Sequence, residues 1–174
     1  NITNEIVILN SYSITEKVIQ ELRLGLSYFQ HGFFQTNEMF ENAPFIVRID
    51  STHNQITGKE FGIKILDENS FKLTIKVEDR FPYNLELERF DKTLLANINI
   101  DEIHQFDKKI TSDYFSFTIS KSLFFKSNEI ANNDKTYSFK LHETDKLAQN
   151  LMTNVKVNPI NKETSILKLN IKLH

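Results

Sequence analysis

Cysteine is absent from the 174 residues, which excludes disulfides, thiol chemistry and cysteine-ligated metal while leaving the compartment open. Glycine is scarce. The four glycines, at 25, 32, 58 and 62, are scattered and make no phosphate-cradling loop, and Gly58-Lys59 lacks the Walker spacing. No apolar run reaches the ~18 residues of a transmembrane helix, so a helical bilayer span is not expected within the chain. Nor does one sign of charge dominate. Twenty-one Lys and Arg against 23 Asp and Glu give −2, which argues against a general binder of nucleic acid or anionic membrane. A start at Asn-Ile-Thr, without Met or a basic n-region, gives no signal peptide and reads as a mature chain or an excised fragment. What is present is ordinary for a globular protein: 40% apolar and 25% charged residues, enough for one core in one domain or two joined lobes. Phenylalanine is the exception. Fifteen of them, in alternating runs such as Phe115-Ser-Phe117-Thr-Ile119, predict a strand-rich middle.

The two ends read as helical. Ile2, Ile6 and Leu9 share a helical face, with a β-branched strand as competitor around Ile6–Ile8. Ser13 and Glu16 have capping-box spacing for a second helix through Leu22, with Gly25 as its stop. At the other end Thr144 serves as N-cap to a stripe of Leu147, Ala148, Leu151, Met152 and Val155. The period then changes to two. Val155 and Val157, then Leu167, Leu169, Ile171 and Leu173, alternate with polar residues around a Pro159–Asn161 turn, as an amphipathic hairpin does.

Between the ends lie strand-like runs at 26–29, 45–49, 61–66, 71–77, 84–88, 114–119 and 137–141, with an extended stretch broken at Gly32. Asp67–Ser70 has the chemistry of a hairpin loop, 106–109 that of a turn and 126–135 that of a polar loop; 93–100 is ambiguous. The expected class is α+β. A discontinuous α/β lobe of 1–42 and 142–174, with the N-terminal helices packed on the C-terminal helix and β-hairpin, carries a β-rich insert of 43–141.

No catalytic, cofactor or metal motif emerges. His31, His53, His104, His142 and His174 form no HExxH or HxH pattern. Glu86 and Glu88 share a predicted strand face, and Glu102 lies beside His104, whereas glycoside hydrolysis needs carboxylates opposed across a cleft. Ser11 and Ser13 sit in no nucleophile elbow. The aromatic residues could form a sugar-stacking platform, but at alternating spacing they read first as core.

Three stretches together resemble the periplasmic region of the Wzz-type chain-length determinants, most closely the exopolysaccharide-export tyrosine autokinases in the style of Bacteroidetes members. They are residues 4–22 (Asn-Glu-Ile-Val-Ile-Leu-Asn-Ser-Tyr-Ser through Leu22), residues 62–73 (Gly-Ile-Lys-Ile-Leu-Asp-Glu-Asn-Ser-Phe-Lys-Leu) and the closing unit 147–173. The resemblance implies an inner-membrane polysaccharide co-polymerase, tethered by flanking transmembrane helices, with this chain on the periplasmic face. It implies a homo-oligomeric ring that works with the polymerase and the outer-membrane export machinery, the nascent polysaccharide being a further candidate partner. It also implies regulation of chain length without catalysis or cofactor in this segment, since a kinase of the parent chain would lie elsewhere. Tyr12, Lys17, Glu21 and Arg23 are the candidate oligomer contacts. The alternatives are a secreted or surface carbohydrate-binding or adhesin-like β module and a small enzyme acting on the polysaccharide.

Overall fold

The computed structural model describes residues 2–21, 25–39, 42–126, 135–160 and 167–171. Two compact units divide the chain, Leu26–His142 and the pair of segments Asn1–Gly25 and Glu143–His174.

Leu26–His142 is built of strands: β1 Leu26–His31, β2 Thr36–Met39, β3 Phe45–Ile49, β4 Glu60–Ile65, β5 Ser70–Arg80, β6 Tyr83–Asn84, β7 Arg89–Phe90, β8 Ala96–Gln105, β9 Lys109–Thr111, β10 Ser116–Lys121 and β11 Thr136–Leu141. Six form an antiparallel sheet in the order β2-β1-β11-β4-β5-β8, and three form a second in the order β3-β10-β9. Alternation decides which face each residue takes. Along β5, Phe71, Leu73, Ile75 and Val77 are buried, while Thr74, Lys76 and Glu78 between and beyond them are exposed. Phe61 and Phe139, neighbours on β4 and β11, stack with ring centroids 4.9 Å apart and planes 4° from parallel. Phe117 of the second sheet meets both rings edge-on at 5.2 Å, and Phe115 meets Phe61 likewise. Offset and edge-on aromatic pairs of this kind add about 0.5–1.5 kcal/mol each beyond the area they bury.

The hairpin loop between β4 and β5 forms as its residues dictate, with Asp67 Oδ1 accepting from the amides of Asn69 and Ser70, both at 2.7 Å. Elsewhere local chemistry overrides the pattern. Of residues 84–88 only Asn84 is in a strand: its Oδ1 accepts from the Leu87 amide at 2.8 Å, Glu88 takes φ 46°, and 85–88 turn between the two-residue strands β6 and β7. The ambiguous 93–100 stretch enters β8 after a turn closed by Asp91, which accepts from the Thr93 amide and hydroxyl. Residues 26–39 also fall differently. The sequence pattern places them with the lobe of the chain ends, yet β1 pairs with β11 over six residues and so belongs to the large sheet. Most of the 126–135 loop lies outside the described residues.

The unit of the chain ends contains α1 Ile2–Leu9, α2 Tyr12–Glu21, α3 Thr144–Asn154 and the antiparallel pair β12 Val155–Pro159 and β13 Leu167–Ile171. α2 touches α3, and α1 touches β12. Asn10 makes that second junction twice over, donating from Nδ2 to the Val157 carbonyl and accepting at Oδ1 from the Val157 amide, both at 3.2 Å. Two caps move relative to the sequence reading. Ser11, not Ser13, precedes α2, its hydroxyl accepting from the Ile14 amide at 3.4 Å, which places Ser13 inside the first turn. Thr144 is the first residue of α3; Glu143 is the cap in extended conformation, with no side-chain capping bond, its carboxylate engaged by Lys146 at 2.7 Å. The Gly25 stop follows residues 22–24, which lie outside the described set, as do Asn1 and His174. No described helix is long and apolar enough to cross a membrane. The chain is α+β, with helix and several antiparallel sheets.

Asp50 joins β3 to β9. It accepts from Lys109 Nζ at 2.6 Å and from the Thr52 hydroxyl at 2.7 Å, and these bonds lower its pKa from 3.8 to about 2. A depressed carboxyl pKa contributes stability above the unfolded value and loses it as pH falls through the folded one. The Asp50 share of the urea midpoint is therefore expected to hold above pH 3.8 and to be lost between 3.8 and about 2. Asp50→Asn should flatten part of the overall decline, leaving the share of Asp67, Glu78 and Asp91, which hydrogen bonds also lower.

Candidate functional site

The same alternation that turns Phe61 and Phe139 inward turns Glu60, Gly62 and Ser138 outward, onto the back of the six-stranded sheet. Cross-strand register then assembles one row: Phe29, Ser138, Gly62, Thr74 and Asp101 stand opposite one another in turn from β1 to β8. Gly62 gives this row its depth, since a Cβ there would run into Thr74 Oγ1. Over the dip lies a groove of about 600 Å³, whose sides include His31, Lys64, Lys72 and Asn99.

At one end of the groove three side chains converge from far apart in the chain. Ser138, only 3% exposed, donates to Glu60 Oε2 at 2.6 Å, and its oxygen lies 2.8 Å from His31 Nε2. His31 Nε2 is also 3.3 Å from the same Glu60 oxygen, and Nδ1 is 3.0 Å from Thr36 Oγ1. One tautomer satisfies all of these groups. With the proton on Nε2, the ring donates towards Ser138 and Glu60 and accepts from the Thr36 hydroxyl. This reverses the order that nucleophilic catalysis needs. An activated serine gives its proton to the imidazole, with the carboxylate behind the ring; here the serine hydroxyl donates its hydrogen bond to the carboxylate and the ring is itself a donor. The trio is a hydrogen-bonded wall of the groove. Opposite it, Lys72 Nζ lies 2.6 Å from Asp101, and Lys76 Nζ 2.7 Å from Glu78.

The histidines otherwise serve local bonds. His142 Nε2 meets Ser27 Oγ at 2.9 Å and His53 Nδ1 meets the Asn54 carbonyl at 2.8 Å, whereas the buried Nε2 of His104 makes no hydrogen bond, with Glu102 3.3 Å away; His174 is outside the described residues. Among the described residues no group of three His, Asp or Glu is placed to hold a metal. Glu86 and Glu88 lie on the β6–β7 turn and not on a strand face. The aromatic residues go mostly to the core, and the fully exposed pair, Phe33 and Phe34, tips the β1–β2 hairpin outside the groove.

Of the candidate oligomer contacts, Tyr12 is half-buried at the start of α2, Lys17 and Glu21 are exposed one helical turn apart, and Arg23 is outside the described residues. Their helix borders a second, apolar groove of about 190 Å³ within the same unit, lined by Leu9, Ile14, Val18, Leu151, Met152 and Leu169. The wall of the sheet groove went unread in the sequence because Glu60 and His31 lie 78 and 107 positions from Ser138. The one available signal was Gly62, a glycine inside an alternating strand. In comparisons with known proteins, no protein-family model matches the chain and no curated protein matches it.

The bond directions give a direct expectation: a fluorophosphonate probe should leave Ser138 unlabelled, by mass spectrometry of the intact chain. Stoichiometric labelling abolished by His31→Ala would contradict them.

Proposed function

We propose that the chain is the periplasmic domain of an inner-membrane polysaccharide co-polymerase of the Wzz type. It regulates the length and export of exopolysaccharide or capsule by assembly into an oligomeric ring, with no catalytic step of its own. The reading rests on the resemblance of residues 4–22, 62–73 and 147–173. The observation that most supports it is that the first and last described elements, α1 and β13, fall in one compact unit, with Asn10 bonded to Val157. A domain held by two membrane helices needs its chain ends together, and a unit made from both ends meets that need. In this proposal the β-rich unit is carried between the ends, and α2, with Tyr12, Lys17 and Glu21, is the surface offered to a neighbouring copy. A tyrosine kinase, where the parent carries one, acts on the other side of the membrane. The secreted carbohydrate-binding reading is less well supported, because it calls for exposed aromatic rings along a groove and the sheet groove has no such row among the described residues.

Deleting the gene in its native host and separating the surface polysaccharide on gels tests the proposal. The expected result is loss of the modal chain length, restored by the intact gene. An unchanged length distribution, or a protein recovered from the medium instead of the inner membrane, would overturn it.

A further inference from the structure

The lysines of the sheet groove are placed at a cost to the chain itself. Lys64 and Lys72 stand directly opposite each other on β4 and β5, and like charges in that relation destabilise a strand pair. Asp101 relieves Lys72, and Glu78 relieves Lys76. Lys64 is exposed and has no hydrogen bond or ion pair among the described residues. Of the carboxylates that line the groove, Asp101 is paired with Lys72, while Glu60 keeps its charge under the Ser138 hydrogen bond and lies four residues from Lys64, at the other end of β4. At the Lys64 end an arriving ligand therefore meets one unpaired cation, with the exposed polar side chains of Thr74 and then Asn99 further along the groove.

The rest of the lining narrows the ligand. Tyr137, the one aromatic residue in it, is 5% exposed with its ring in the core, so no face is offered for stacking a nucleobase. The floor strands β11, β4 and β5 are each paired on both sides, so a peptide backbone could extend the sheet only along β8, at the margin of the groove and not over its floor. What remains is recognition of hydroxyl groups and a negative charge along an open trough. We propose that this groove binds an extended glycan bearing carboxylates, with one uronate seated at Lys64 and neighbouring hydroxyls at Thr74 and Asn99. The choice of a sugar rests on the co-polymerase reading, whereas the preference for an anion rests on the lysines alone.

Calorimetric titration of the 174-residue chain with an oligogalacturonate, a neutral malto-oligosaccharide and a polyglutamate of matched length tests it. The oligogalacturonate should bind saturably and more weakly at high salt, and the other two should not. Lys64→Glu should weaken binding by about tenfold or more, a difference that titration resolves readily, and Lys64→Arg should retain it. Because Lys64 is exposed on the solvent face of β4, neither change threatens the core. No binding of the oligogalacturonate, indifference to Lys64→Glu, or equal binding of polyglutamate would each overturn the proposal. If the gene deletion still alters chain length, such a failure removes the groove's ligand and leaves the assembly reading standing. If the oligogalacturonate binds while deletion alters nothing, the assembly reading falls and the site remains.

Discussion

The parallel stack of Phe61 on Phe139, with Phe117 edge-on to both rings, is the interaction on which the rest of the β-rich unit depends. It ties β4 to β11 within the large sheet and joins that sheet to the smaller one through β10. All three rings are almost wholly buried, and truncating a ring in such a setting costs about 3–5 kcal/mol, a large share of the stability of an ordinary domain. Because side chains alternate along a strand, fixing these rings inward also fixes what points outward. Gly62 follows Phe61, and Ser138 precedes Phe139. The groove and its wall are the reverse side of the aromatic core.

That coupling explains why a polar wall holds its form on an open sheet face. Ser138 and Glu60 come from strands locked in register by Phe61 and Phe139, and His31 comes from β1, the next strand outward. Each lies on a paired strand, so a groove on such a face is better preorganised than one on loops. The lysine pair across β4 and β5 is held by the same register, which keeps Lys64 and Lys72 opposed despite their repulsion.

Much of the architecture was legible in the chain, for identifiable reasons. The alternation of Phe71 to Val77 sets a strand because one face is buried, and Asp67 to Ser70 makes its loop from its own side-chain bonds. The closing helix and hairpin were written in an abrupt change of period at Val155. Where the reading failed, a short-range side chain or a long-range pairing was responsible. Asn84 turned an apparently alternating Leu-Glu run into a turn, Ser11 displaced Ser13 as a cap, and the pairing of β1 with β11 drew residues 26–39 into the large sheet. The groove was the least legible part. Its wall needs three residues brought together by sheet order, and sheet order is not encoded in any one segment.

The assembly account turns on whether the two ends of the chain form one unit, and Asn10 provides the test. A residue's amide and carbonyl point to the same side of its strand, and both from Val157 are taken by the Asn10 side chain. The Val157 amide thus owes its protection to a residue 147 positions away. Hydrogen exchange at that single amide, followed by NMR in the unaltered chain and in Asn10→Ala, measures the junction directly. The account predicts slow exchange that becomes markedly faster on the substitution, with the β4 and β11 amides unchanged. A Val157 amide that exchanges freely in the unaltered chain would contradict it, and the argument from joined chain ends would go with it.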